Sequence, residues 1–384
     1  MIKTIDDYDL KGKRVLLRVD LNSSIVNNNL KISDRFVEHA KTIKLLKKKK
    51  AQIVILAHQS RPGKKDFTSL KKHANALNKY VKVKYVDDII GKKAISSIIK
   101  LKNGEALLLD NVRKLDDEFK PSVNNKLVKK LYPLIDLYVN DAFSISHRRQ
   151  TSVVSFPQIL HCAAGPVMIK EIEQINSISK KKPIVYIIGG RKVDEVFYLV
   201  NSNIKKVDYI LCAGFFAMLC LIAKGNKLGK NNKILYDEGY TKYIPKLKKL
   251  VKSKKIILPD DFAIIDNKKR KEILIKDLPV DYEIFDIGKK TIEKYTKILK
   301  KAKTILVKGP LGHYEDKRSS LGTEKIFKTI EKSKAYSLFA GGHTITAMKK
   351  FKLKKSLNKS LAGGAFAEYL AGKKLPGIEV LKNA

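Results

Sequence analysis

The sequence has no tryptophan and only three cysteines, Cys162, Cys212 and Cys220, with no Cys-x-x-Cys pair among them. So sparse a set argues against a disulfide framework or a structural zinc site and points to a reducing compartment, the cytoplasm. Cys212 and Cys220 stand in apolar surroundings and read as inert core residues. Long hydrophobic runs are also missing. The longest, residues 209–223, is shorter than the roughly 20 residues that a membrane-crossing helix needs, and Gly214 interrupts it. A buried strand followed by a buried helix fits it better. Residues 1–10 show no basic stretch followed by an apolar one, so no secretory leader is expected.

Acidic residues are scarce as well: 38 Asp and Glu face 80 Lys and Arg, a net charge of +42. Such a surplus attracts anions. Nucleic acid is not the expected primary ligand. The excess is mostly lysine, scattered in short runs such as 47–50 and 180–182, without a basic arm, an RNA-binding aromatic signature or zinc-finger spacing. Anionic metabolites are the expected partners, and no membrane contact is foreseen.

At 384 residues, with 44% hydrophobic and 31% charged residues, the chain is folded and too long for one ordinary core, so two domains are expected. No repeat of solenoid period is visible. What recurs is a short apolar run, often β-branched, then a polar or glycine loop, then a helical pattern. That alternation predicts an α/β fold with parallel sheets. Strands are expected at 14–19, 52–57, 82–86, 106–109 and 137–139 in the first half. In the second half they are expected at 184–188, 209–212, 256–258, 304–307 and 336–339. Residues 164–179, with Met168, Ile169, Ile172 and Ile175 at helical spacing, are expected to form a helix joining the halves, which Pro183 then closes off.

Open α/β sheets bind ligands beyond the carboxyl ends of their strands, so the loops there carry the functional information. In the first half they hold Asp20, Asn22, His58, Arg61, Asp110, Asn111, Arg113, Asn140, Asp141, His147, Arg148 and Arg149, with Arg35 in the loop before a helix. Taken singly, each is more often a solvated, capping or structural residue. Their recurrence at strand ends predicts a pocket for a small ligand with several negative charges, because guanidinium forks match carboxylate and phosphate oxygens. In the second half the same positions are glycine-rich: Gly189-Gly190-Arg191-Lys192, Ala213-Gly214, Gly309-Pro310-Leu-Gly312, Gly341-Gly342-His343-Thr344 and Gly363-Gly364. One glycine turn is weak evidence, but several at successive strand ends predict a phosphate-binding nucleotide site. Residues 225–230, GNKLGK, lack the spacing and the final Ser or Thr of a P-loop.

These motifs resemble phosphoglycerate kinase over nearly the whole chain. They run Arg18-Val-Asp20-Leu-Asn22, Asp34-Arg35, His58-Gln-Ser-Arg61-Pro62-Gly63, Asp110-Asn111-Val-Arg113, Tyr138-Val-Asn140-Asp141-Ala-Phe143 and Ser146-His147-Arg148. They continue through Gly189-Gly190-Arg-Lys192-Val193, Gly309-Pro310-Leu-Gly312, Gly341-Gly342-His343-Thr344 and Gly363-Gly364-Ala365 to Leu375-Pro376-Gly377. The His-Gln-Ser-Arg-Pro-Gly and Gly-Gly-His-Thr forms are similar to the archaeal branch.

The resemblance implies two Rossmann-like three-layer domains with parallel sheets joined by a hinge helix. Residues 1–163 with a C-terminal tail, 366–384, would bind phosphoglycerate; 164–180 would be the linker, and 181–365 would bind nucleotide. It implies reversible movement of a phosphoryl group between Mg-ATP and the carboxylate of 3-phosphoglycerate, giving 1,3-bisphosphoglycerate and ADP, in glycolysis and gluconeogenesis; the sequence does not give the oligomeric state, and a monomer is favoured. By motif, Asp20, Asn22, Arg35, His58, Arg61, Arg113 and Arg148 hold the phosphoglycerate. Gly189, Gly190, Lys192, Gly214, Gly309, Glu315, Gly341, Gly342, His343 and Thr344 hold the nucleotide, with Glu315 at the ribose. Arg35 and Lys192 are expected to stabilise the transferring group. Mg2+ is expected with the nucleotide, and no residue is assigned as its ligand. The chain departs from the family pattern at Arg191, where alanine is usual, at Val196 and Lys308, where lysine and asparagine are usual, and at Ala340 and His343. Arg191 and Lys308 leave three alternatives: replacement of phosphate contacts, obstruction of the adenine or distortion of the loop.

Overall fold

The computed structural model describes residues 2–178 and 180–382. Met1, Ser179, Asn383 and Ala384 lie outside the described residues; they fall in the expected first domain, joining helix and tail. By its internal contacts the chain divides into two units, Met1–Ile172 with Lys373–Ala384, and Glu173–Gly372.

The first unit is built on β1 (Arg14–Arg18), β4 (Gln52–Leu56), β5 (Lys84–Tyr85), β6 (Ala106–Leu108), β7 (Leu137–Asn140) and β8 (Cys162–Ala164), with a short hairpin of β2 (Ile25–Val26) and β3 (Asn29–Leu30) beside them. The six strands lie parallel in the order β5-β6-β4-β1-β7-β8. Val15 and Leu17 of β1 pair with Ile53 and Ile55 of β4 and with Leu137 and Val139 of β7. These residues form one core with Phe36, Ala40 and Ile43 from helix Asp34–Lys48. Leu16 and Val54, on the opposite face, are equally buried. Burial on both faces is why these strands read as unbroken apolar runs rather than as alternating patterns.

The second unit carries β9 (Ile184–Ile188), β10 (Tyr209–Cys212), β11 (Ile256–Ile257), β15 (Thr304–Lys308), β16 (Tyr336–Ala340) and β17 (Asn358–Ser360). They form a parallel sheet in the order β11-β10-β9-β15-β16-β17. A separate antiparallel sheet, β13 (Lys269–Leu274), β12 (Asp261–Asp266) and β14 (Ile284–Ile287), was not expected from the sequence. Its hairpin turns at Asn267 and Lys268, both with left-handed φ angles of 45° and 61°. The exposed Lys269, Lys271 and Glu272 of β13 hide its alternation. β8 and β17 were also unforeseen, being three residues each.

The joining helix is Pro166–Ser177, and the division of the chain falls inside it, after Ile172. Pro166 opens it with a pre-set φ. Asp141 Oδ1, at the end of β7, accepts the Val167 amide at 2.8 Å and so caps the helix from a distant strand. A Cβ on Gly165 would lie 2.2 Å from that oxygen, so the position needs glycine. At the other end of the chain, residues 366–372 continue helix Gly364–Leu370 and belong with the second unit, unlike the tail expected from 366. The part that returns to the first unit is helix Pro376–Lys382. There the Gly377 amide donates to Ser146 O at 2.8 Å and Asn140 Nδ2 donates to Gly377 O at 3.3 Å. Among the described residues no helix is long and apolar enough to cross a membrane.

Candidate active site

In the first sheet the strands that follow β1 in the chain run to β4 on one side and later to β7 on the other, so the carboxyl ends of β1 and β7 form a topological switch point. Asp20 sits just past β1 and is 3% exposed. Its carboxylate accepts the Asn22 amide at 3.0 Å and the Ser144 hydroxyl, and Arg35 Nη1 lies 3.0 Å from its Oδ2. Burial opposes ionisation, but the Arg35 guanidinium and these hydrogen bonds outweigh it and hold the carboxyl well below the usual range. The same Arg35 Nη1 donates to Asn22 O at 2.8 Å, while Asn22 Oδ1 accepts the Ser60 amide at 2.8 Å. Ser60 holds a left-handed φ of 56°, which turns the His58–Arg61 loop over the strand ends.

His58 is buried, and its Nδ1 is 3.2 Å from Arg18 Nη2. A guanidinium only donates, so Nδ1 is the acceptor and the ring hydrogen sits on Nε2. Burial, with Arg18, Arg113 and Arg148 nearby, pushes the His58 pKa well down and keeps the ring neutral. Arg113 is also buried. It donates to Ser60 O and, at 3.1 Å, to Gln150 Oε1, and its Nε has no partner. Burial and the charges of Arg18 and Arg148 bring its pKa down to about 10, which leaves it cationic at neutral pH. Arg148 is exposed, yet its charge acts on Arg18, His58 and Arg113. Arg61 is exposed and has no ion pair among the described residues. Asp20, Asn22, Arg35, His58 and Arg113 are therefore brought together at the strand ends, Arg148 acts on them by charge from an exposed position, and Arg61 stands at the surface.

Arg18 was not singled out as a site residue from the sequence. It is fully buried, donating to Ser152 Oγ at 2.8 Å and to backbone oxygens of Val19 and Leu56, with Glu118 4.0 Å away. The available signal was a second arginine closing a strand whose middle three residues are apolar. His39 was missed as well. Its Nε2 accepts the Asp20 amide at 3.2 Å and its Nδ1 lies 2.8 Å from Asp141 Oδ2. It sits on the buried face of a helix, where a lone histidine reads as core.

In the second sheet the switch point lies between β9 and β15. The two loops interlock: the Gly189 amide donates to Lys308 O at 2.9 Å and the Gly190 amide to Pro310 O at 2.8 Å. A Cβ on Gly309, whose φ is 90°, would fall 2.2 Å from Gly189 O. Thr344 clamps the next loop, accepting the Gly309 amide at 2.9 Å and donating to Ala340 O at 2.8 Å. Gly214, with φ 55°, opens helix Gly214–Ala223 against Gly190. Gly341 precedes helix Gly342–Lys350, and His343 in its first turn is exposed. Lys192 is exposed, 3.7 Å from Glu195, and the exposed Glu315 lies 3.6 Å from His313. The Arg191 guanidinium is committed elsewhere, 2.6 Å from Glu238 and over the Phe215 ring at 4.7 Å.

Arginines at the strand ends of one parallel sheet and close-packed glycine loops at those of another fit the class of small-molecule kinases with two α/β domains. Comparison with known proteins narrows the class: a model of the phosphoglycerate kinase family matches residues 5–373. The chain belongs to that family. A phosphoglycerate kinase from Methanothermus fervidus is 42% identical over 99% of this chain and 97% of its own length. One from Sulfurisphaera tokodaii is 40% identical over 99% and 95%. The crystal structure of phosphoglycerate kinase from Pyrococcus horikoshii has a TM-score of 0.93 and 34% identity, covering 99% of this chain and 98% of that one.

Proposed function

We propose that this chain transfers a phosphoryl group reversibly between Mg-ATP and the carboxylate of 3-phosphoglycerate, with the acid on the first unit and the nucleotide on the second. The observation that carries the reading is the cluster of Arg35, His58 and Arg113 around the buried Asp20 carboxylate at a switch point. The acceptor carboxylate is ionised at neutral pH, so no general base is required. What the reaction needs is position and neutralised charge. Arg113, His58 Nε2–H and the exposed Arg61 and Arg148 supply donors to the acid. Asp20 orients Arg35, which with Lys192 stabilises the transferring group. Gly189, Gly190, Gly309 and Gly341 let backbone approach the phosphates, Thr344 holds two of those loops, and Gly342 and His343 open the helix beneath them. Gly214 shapes the neighbouring wall and Glu315 takes the ribose. Magnesium would come with the nucleotide and would supply charge neutralisation on its phosphates, with no residue of the chain assigned as its ligand. The two ligands must be brought together for transfer, and helix Pro166–Ser177 is the hinge we assign. The enzyme is placed in the cytoplasm as a monomer of 43.4 kDa, a mass that light scattering checks.

An assay coupled to 1,3-bisphosphoglycerate consumption, run with ATP and with GTP, tests the reading. Turnover that requires both 3-phosphoglycerate and a nucleoside triphosphate is expected. Binding of 3-phosphoglycerate with no turnover would instead make the chain a binding protein.

A further inference from the structure

Lysines cover this chain, yet among the described residues Lys308 is the one lysine that the fold buries, at 6% exposed. An ammonium is removed from water only where other charges or hydrogen bonds meet it. Lys308 is the last residue of β15, paired with Ile188 on one side and Ala340 on the other. It therefore stands at the switch point of the second sheet, between the two interlocked glycine loops. Its Nζ is 2.9 Å from Glu195 Oε2, and Lys192 Nζ lies 3.7 Å from Oε1 of the same carboxylate. One carboxylate thus serves two ammoniums and leaves the group with an excess of positive charge.

The surroundings of Lys308 are shaped by glycine. A Cβ on Gly341 would lie 3.5 Å from its Nζ, and a Cβ on Gly363 would lie 3.9 Å from the Glu195 carboxylate. An ammonium carries three N–H donors. Glu195 is the one ionic partner of Lys308 among the described residues, so its bonding capacity is not filled by the protein.

We propose that Lys308 is a phosphate-binding cation of the nucleotide site, which holds the phosphate chain beside Lys192 and has Glu195 as its counter-ion when no nucleotide is bound. The proposal rests on the nucleotide reading of the second unit. A purely structural ion pair would be indifferent to the ligand's phosphates, whereas a phosphate contact distinguishes ADP from adenosine.

The test is calorimetric titration of the full chain with magnesium-free ADP and with adenosine. Lys308→Met, similar in length and uncharged, is expected to weaken ADP by about 10- to 100-fold, the effect of losing a hydrogen bond to a charged group. It should leave adenosine within twofold, which also shows that the unit is folded. Lys308→Arg, which keeps the charge, should hold ADP within a few fold. An unchanged ADP affinity in Lys308→Met, or equal losses for ADP and adenosine, would overturn the proposal. If the unaltered chain bound neither probe, the nucleotide reading itself would fall and the proposal with it.

Discussion

His39 stands between Asp20 and Asp141, accepting the Asp20 amide at Nε2 and donating to the Asp141 carboxylate from Nδ1. The backbone amide can only donate, which fixes this tautomer. Asp141 also takes the Thr42 hydroxyl at 2.7 Å and caps Val167 at the start of the joining helix. One buried ring thus links the backbone at Asp20, through Asp141, to the first turn of helix Pro166–Ser177. Replacing it by leucine leaves a buried amide and a buried carboxylate oxygen short of a partner. We expect His39→Leu to lower unfolding free energy by roughly 1–3 kcal/mol and to weaken 3-phosphoglycerate binding. His39→Gln, which can both donate and accept, should recover most of each. Urea titration and calorimetry give the two numbers, and equal behaviour of the two variants would break the link.

Arg35 carries the next expectation. Its guanidinium joins Asp20 to the Asn22 carbonyl, so it is held before any ligand arrives. A pre-positioned cation at the transferring group is worth about 10²–10³-fold in turnover. Arg35→Ala should lose at least that, with its circular dichroism spectrum intact. Arg35→Lys should recover only part, because it keeps the charge but loses the remaining guanidinium nitrogens that would fork onto phosphoryl oxygens. Near-normal turnover in Arg35→Ala would remove the assigned role.

Much of this architecture was legible in residue order. The central strands show as apolar runs because both faces are buried, and the arginines that follow them in the chain stand beyond their carboxyl ends. Burial of individual charges was not legible. Arg18 and Lys308 close β1 and β15 in equivalent ways, but a lysine in a chain this rich in lysine carries no local sign of being buried. Its partner Glu195 comes from a different helix, Val193–Asn203, and only the fold brings them together. Arg191 is the converse case. The sequence left open whether it replaces a phosphate contact, blocks the adenine or distorts the loop, and in the structure Glu238 and Phe215 engage its charge.

The interlocked loops predict a separable defect. Alanine at Gly309 meets both a positive φ of 90° and the Gly189 carbonyl at 2.2 Å. The left-handed conformation alone costs roughly 1–2 kcal/mol, and the loop must shift as well. Gly309→Ala should raise the dissociation constant for ADP by tenfold or more while leaving that for 3-phosphoglycerate unchanged. Isothermal titration with each ligand checks this, and parallel losses for both would show that the substitution acts on the whole chain instead.

Acid should loosen the first unit through His73. This ring is buried against Phe36, with Nε2 3.0 Å from Gln59 Oε1, and burial brings its pKa down to about 4 from an ordinary 6.5. Between those values the unfolded chain binds the proton and the folded chain does not. Stability is therefore full above pH 6.5 and is lost as pH falls toward 4. At about 1.4 kcal/mol per pKa unit, the loss attributable to this ring approaches roughly 3 kcal/mol. Gln59 in turn bonds Ser23 and is anchored by Asn111, so a charge on His73 acts on contacts that reach both. His73→Gln keeps a donor for Gln59 but cannot titrate. Its stability, measured by urea unfolding, should be lower than that of the unaltered chain at pH 7 and should close or reverse that gap by pH 4.5. Two curves that stay parallel across this range would show that His73 does not set the acid sensitivity.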